Sequence, residues 1–330
     1  MDSNLLKIGV IGVGHLGQHH VKHFCSIGGI NFLGLFDTNT NQANAISKKF
    51  KVKAFENIDN LIDSVDAVSI VTPTTYHASV AEKCIKKKKH VFIEKPITST
   101  IEEADKLLAL AKKNKVIVQV GHIERLNPAL RALEPYKINP KFIEIQRLAP
   151  YNTRGTDVPV VLDKMIHDID IVLSLVDSKV RSISASGLSI LTDSIDIAHA
   201  QIKFENGCVS SITSSRIAKD EVRKIKTFQQ NLYSTVDLYK GLTEVYTVSK
   251  KGLDKKSFLM SVPFNYKNKT RHIIYEKPTI IKEDALKLEL INFTNSMKGL
   301  EMPIVSGQSG REALNVAIEI QEKIIKGFIS

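Results

Sequence analysis

Apolar positions in the first third of the chain fall in short unbroken runs. KIGVIGVG (Lys7 to Gly14), INFLGLFD (Ile30 to Asp37), AVSIVTP (Ala67 to Pro73), HVFIEKP (His90 to Pro96) and VIVQVG (Val116 to Gly121) are β-rich and do not alternate. That is the pattern of strands buried on both faces. The stretches between them read as helices. The clearest is Thr100 to Lys115, with Ser99 and Glu102 spaced as a capping box. Strand–helix alternation of this kind predicts a parallel, doubly wound α/β sheet over residues 1–122.

Beyond residue 122 the pattern changes. KFIEIQRLA (Lys141 to Ala149) alternates like a half-buried strand. Asp157 to Val176 repeats its apolar residues at helical spacing. Ala198 to Arg216 reads as a hairpin turning at Asn206-Gly207. KIKTFQQN, LYSTVDLY and EVYTVSK read as further strands, and Lys282 to Met297 and Gly310 to Gly327 as amphipathic helices. Residues 123–330 are therefore expected to form a second α/β domain with a large, mostly antiparallel open sheet. Its C-terminal helix is expected to pack back on the first domain. An open sheet needs a cover, and a second copy is the simplest one, so a homodimer or homotetramer is expected.

Composition bounds these expectations. A length of 330 residues exceeds what one hydrophobic core usually serves. Hydrophobic content of 43% and charged content of 25% exclude a disordered or low-complexity chain. No apolar run approaches the ~18–20 residues of a membrane span, and the N-terminus carries no signal-peptide pattern. Cys25, Cys84 and Cys208 show neither metal nor disulfide spacing, which fits a reducing cytoplasm. The net charge of +11 comes from scattered lysines. The one run, Lys86 to Lys89, closes a predicted helix, where cations suit the negative end of the dipole. No nucleic-acid motif accompanies it.

Candidate chemistry follows the strand ends. Gly12-Val13-Gly14-His15-Leu16-Gly17 stands between a strand and a helix, where GxGxxG cradles a dinucleotide pyrophosphate. Taken singly, the glycines read as a plain turn and Asp37 as a helix cap. Together, Asp37 closing the second strand can accept bonds from ribose hydroxyls and repel a 2′-phosphate, so NAD is favoured over NADP. Thr72, Pro73 and His77, and Glu94, Lys95 and Pro96, leave strand ends on the same predicted edge. Ligands bind at that edge in open α/β sheets. Asp163, His167 and Asp170 share one helix stripe, and an aspartate can orient a histidine that relays a proton. They have no fourth candidate at metal-ligand spacing, so no metal is expected.

Together KIGVIGVGHLGQHH, VTPTTYH, EKP, the Asp163/His167 helix and the ending PIVSGQSGREAL resemble one family along essentially the whole chain. It is the family of glucose–fructose oxidoreductase, inositol dehydrogenase and MocA-like oxidoreductases. The resemblance implies a Rossmann domain and a nicotinamide cofactor. It also implies that the open sheet of the second domain forms the oligomer interface. It further implies that Lys95, Asp163 and His167 are active-site residues, with Lys95 often followed by a cis proline. VGHIERLNPA and VVLDKMIHDIDIVL resemble the branch containing UDP-N-acetylglucosamine 3-dehydrogenases, which feed lipid A synthesis. Lys164 departs from that branch's usual apolar residue, and the glycine-rich segment many relatives carry before the helix is absent. The expected reaction is oxidation of a sugar carbinol. His167 or Lys95 takes the proton, and Arg125, Asn127, Arg154 and Arg216 bind substrate. Rival readings are a dehydrogenase of another sugar or inositol, and a nicotinamide-binding regulator without turnover.

Overall fold

The structure, a computed structural model, describes residues 5–152, 158–249, 260–267 and 269–329. Arg154 lies outside them. The chain divides into two compact units. The first comprises Met1–Ile123 and Asp284–Asn315, the second Glu124–Glu283 and Val316–Ser330.

The first unit is built on β1 (Leu6–Ile11), β2 (Ile30–Phe36), β3 (Lys53–Ala54), β4 (Ala67–Ile70), β5 (His90–Glu94) and β6 (Val118–Gly121). They pair in parallel in the order β3-β2-β1-β4-β5-β6. The order reverses between β1 and β4, which opens a crevice at their carboxyl ends. Helices α1 (Gly17–Phe24), α2 (Thr40–Phe50), α3 (Ile58–Ser64), α4 (His77–Lys86) and α5 (Ile101–Asn114) connect the strands. The capping box of α5 is formed by Thr100 and Glu103, not by Ser99 and Glu102. Thr100 has the extended backbone of a cap, and its hydroxyl accepts from Glu103 N at 3.2 Å. The Glu103 carboxylate in turn accepts from the N–H groups of Ser99 and Thr100 at 3.0 and 3.2 Å.

Between Asp284 and Asn315 the chain supplies a further layer to this unit. Helix α8 (Ala285–Met297) sends Leu286, Leu290 and Phe293 into the core with Val21, Phe24 and Phe92. Phe293 meets Phe92 edge-on, ring centroids 5.7 Å apart. Helix α9 (Gly307–Ile329) starts directly on β6. A Cβ at Gly310 would stand 2.5 Å from the Val120 side chain, so glycine is what allows this approach.

The second unit opens with the short α6 (Pro128–Arg131). Its strands are β7 (Phe142–Leu148), β8 (Val180–Leu188), β9 (Ile197–Phe204), β10 (Val209–Ser215), β11 (Val222–Gln229), β12 (Leu232–Asp237), β13 (Leu242–Ser249), β14 (Met260–Tyr266) and β15 (Lys269–Glu276). Among the described residues they order β14-β15-β13-β12-β11-β7-β10-β9-β8. Only β7 and β10 pair in parallel; the other neighbours are antiparallel. Ile143 and Ile145 point inward from β7 while Phe142, Glu144 and Gln146 face the other way. In that outward register Phe142, Phe228, Tyr233, Tyr246 and Tyr275 form a row of rings 4.8 to 5.6 Å apart.

The predicted helix over Asp157 to Val176 is interrupted at its start. A π turn over Val161–Met165 leads into α7 (Ile166–Leu175). The Pro159 carbonyl accepts from both Leu162 N and Asp163 N, at 3.1 and 3.0 Å. Such wider turns recur at functional sites.

Candidate active site

In the first unit, three loops leave the carboxyl ends of β1, β4 and β5. The β1 loop is shaped by its glycines. Gly12 has φ +85°, and a Cβ there would stand 2.6 Å from the Val71 carbonyl oxygen. A Cβ at Gly17 would collide with the Gly12 carbonyl oxygen, so this glycine lets α1 pack against the loop. At Gly14 nothing lies within 4 Å, which leaves the loop's outer side open to a ligand. His15 and Leu16 are exposed.

Asp37 is held in register with this loop. Its carboxylate accepts from Val13 N at 2.7 Å and Asn39 N at 2.8 Å. Asn39, not Asp37, caps α2. Gly12, Gly14, Asp37, Thr38, Thr72 and Pro73 line a cavity of about 490 Å³ whose other walls are largely apolar. Among the described residues, the buried Thr72 hydroxyl has no hydrogen-bond partner. A cavity with an apolar slot, open glycines, a fixed carboxylate and a waiting hydroxyl fits a dinucleotide. The apolar walls suit an adenine ring, Asp37 the ribose hydroxyls, and the start of α1 the phosphates.

Glu94 and His77 are not among the residues that line this cavity. Glu94 is 9% exposed and lies 3.1 Å from His20 Nε2. His77 is 1% exposed, its Nδ1 2.8 Å from the Pro96 carbonyl and its Nε2 2.9 Å from the Thr72 carbonyl, and the neutral ring donates to one of the two. Burial is the main influence on His77 and lowers its pKa, opposed by those carbonyls and by Glu94. Burial also lowers His23, against Asp284, and His90, against Asp66. All three rings therefore stay neutral in the fold at a pH where the unfolded chain, near its ordinary value of about 6.5, takes up protons. The stability they support is complete above about pH 6.5 and is lost as pH falls below it. The melting temperature is expected to fall between about pH 7.5 and about pH 5. A flat profile over that range would show that burial does not depress these histidines.

Lys95 is half-buried at the end of β5, and the Lys95–Pro96 peptide is cis.

In the second unit, Asp163 and His167 are half-buried, on the π turn and the first turn of α7. Lys164 Nζ lies 3.6 Å from Asp163. Asp170 does not share their exposure. It is 1% exposed and accepts from Arg125 Nε and Nη2 at 2.7 and 2.8 Å. Asn127 caps α6 and donates to Glu124 at 3.0 Å. Arg216 is 4% exposed, donates to the Val158 and Ile195 carbonyls and pairs with Asp196. These contacts tie the buried Arg216 guanidinium into the fold.

Sequence reasoning missed a buried cluster here. Arg147 grips Asp168 at 2.8 and 2.9 Å and Glu124 at 2.9 Å. Burial opposes ionisation of Glu124, but Arg147, Asn127 and Arg223 outweigh it and hold the carboxyl below its ordinary value. One signal was available: Arg147 is in phase with the inward-facing Ile143 and Ile145. An inward arginine implies buried carboxylates. In the first unit His20 and Ser69, both fully buried, were missed as well.

Residues 6–122 match a family model described as an oxidoreductase family with an NAD-binding Rossmann fold. Residues 146–229 match the GFO/IDH/MocA C-terminal domain. UDP-N-acetylglucosamine 3-dehydrogenase of Acidithiobacillus ferrooxidans is 33% identical over 317 residues, covering 96% of each chain. A solved structure of that enzyme superposes with a TM-score of 0.87 at 32% identity, over 97% of this chain and 98% of the other. Myo-inositol 2-dehydrogenase of Thermotoga maritima is 26% identical over 94% of this chain and 93% of its own.

Proposed function

The chain belongs to the Gfo/Idh/MocA family of NAD(P)-dependent oxidoreductases acting on CH–OH groups, and on that premise we propose that it is an NAD-dependent dehydrogenase of a nucleotide sugar, with UDP-N-acetylglucosamine as substrate and C3 as the carbon oxidised. The end-to-end likeness to the Acidithiobacillus enzyme carries this reading. A second reading, oxidation of an inositol or free sugar, is favoured by the likeness to the Thermotoga enzyme.

NAD is preferred to NADP because Asp37 is the charged side chain lining the cavity and would face a 2′-phosphate. When bound, the nicotinamide supplies the acceptor for the carbinol's C–H electrons. The remaining work falls to side chains. His167 takes the hydroxyl proton, Asp163 orients its ring, and the Lys95 ammonium stabilises the developing alkoxide. Arg125, fixed by Asp170, binds an anionic part of the substrate.

The test is absorbance of reduced nicotinamide with purified protein, UDP-N-acetylglucosamine and a ketone trap. A rise with NAD, about tenfold weaker with NADP at equal concentration, is expected from one unfavourable charge contact. A rise only with inositols or free sugars would replace the substrate. A flat trace with NAD still bound would favour a regulator.

The assembly belongs to the same proposal. Phe142 at one end of the aromatic row and Met260, paired with Tyr275 at the other, are 37% and 53% exposed. A second copy covers this face in a homodimer or homotetramer. A mass of one chain by light scattering at micromolar concentration would end that part of the proposal.

A further inference from the structure

Two buried histidines stand on either side of Lys95. On one side the Lys95 N–H donates to Glu94 Oε2 at 3.3 Å. Glu94 Oε1 lies 3.1 Å from His20 Nε2, and His20 Nδ1 lies 2.9 Å from the Ser69 hydroxyl. One neutral tautomer satisfies the whole chain: Ser69 donates to Nδ1, and Nε2–H donates to Glu94. Gly121 gives the carboxylate its room, since a Cβ there would stand 2.8 Å from Glu94 Oε1.

On the other side the Pro96 carbonyl lies 2.8 Å from His77 Nδ1, and His77 Nε2 lies 2.9 Å from the Thr72 carbonyl. The ring thus bridges the loops that follow β4 and β5. The Lys95 N–H reaches one imidazole through the Glu94 carboxylate, and the carbonyl of Pro96, the next residue, faces the other, while the lysine side chain stays half-buried.

Ser69, His20 and Glu94 have the order of a hydrolytic triad. They do not work as one, because the serine and histidine are fully buried and none of the three lines the cavity. Burying two imidazoles costs free energy unless their nitrogens are engaged. Here His20 has both nitrogens engaged, the neutral His77 ring faces two carbonyl oxygens and donates to one of them, and both rings adjoin Lys95.

The geometry points to His20 and His77 as positioning residues for Lys95, one acting through Glu94 and the other through the Pro96 carbonyl. The inference rests on the proposed role of Lys95 in dehydrogenation. It assigns to these histidines the backbone precision that role requires.

The test uses His20→Gln, His77→Gln and the milder Ser69→Ala in the full chain, with two readouts. The first is kcat and KM with NAD and UDP-N-acetylglucosamine. The second needs no substrate: the acetylation rate of the Lys95 amine by acetic anhydride, read by peptide mass spectrometry against the exposed Lys48. Both glutamine variants should lower kcat about 10- to 100-fold, with KM for the sugar within about twofold. The Lys95 acetylation rate should change at least about threefold relative to Lys48. Ser69→Ala should move both readouts the same way by less. Variants that melt earlier but keep wild-type kcat and Lys95 acetylation would reduce both histidines to fold support. If the wild type oxidises none of the sugars, the dehydrogenase reading fails, and acetylation alone decides positioning. Unchanged acetylation in both glutamine variants then overturns it.

Discussion

Lys95→Met is expected to lower kcat by about 10²- to 10³-fold, roughly 3–4 kcal/mol of transition-state stabilisation. Methionine matches the length of the lysine stem and keeps its apolar contacts, so the change removes little besides the charge and its donors. Lys95 is not among the residues lining the dinucleotide cavity. NAD affinity, measured by reduced-cofactor fluorescence, should therefore stay within about threefold of wild type. Wild-type turnover in the variant would take Lys95 out of the mechanism. Parallel loss of turnover and NAD affinity would reassign it to cofactor binding.

Arg147→Met is expected to cost the second unit about 3–5 kcal/mol, because breaking one partner out of a buried ion cluster strands the others. Asp168 and Glu124 would keep their burial and lose the guanidinium that holds both. The measurement is the denaturant midpoint, with the slope compared to detect a change in the unfolding transition. Replacing Arg147, Asp168 and Glu124 together by apolar residues of similar volume should recover most of the loss. A small effect in the single variant would mean that water reaches the cluster. The consequence extends to the candidate site, since Asp168 is the immediate neighbour of His167 on α7.

Much of the first unit was legible because its signals are local. Unbroken apolar runs mark strands with two buried faces, and Gly12 and Gly17 announce a turn that no side chain tolerates. Asn206-Gly207 turned the β9–β10 hairpin as read, with Gly207 at φ +81°. The capping box slipped by one residue. Ser99 and Thr100 are chemically equivalent caps, and only the backbone torsions choose between them.

The site was legible as a list of residue types and not as a set of partners. Asp163, His167 and Asp170 have the spacing of one stripe, yet the fold gives Asp170 to Arg125, 45 residues away. Arg216 is buried against the Val158 and Ile195 carbonyls, partners its own stretch of sequence does not name.

The sequence by itself determined the alternation of strands and helices, the glycine loop, the carboxylate at the end of β2, and the family these motifs mark. Each depends on the sterics and hydropathy of residues within a turn or a strand of one another. Tertiary structure alone decided the parallel pairing of β7 with β10, the burial of Arg147, and the path from Ser69 through His20 to Glu94. His20 meets Ser69 across 49 residues of chain and Glu94 across 74. A local pattern states that a polar group is present, but its buried partner is chosen by which strands become neighbours, a choice made by the packing of the whole core.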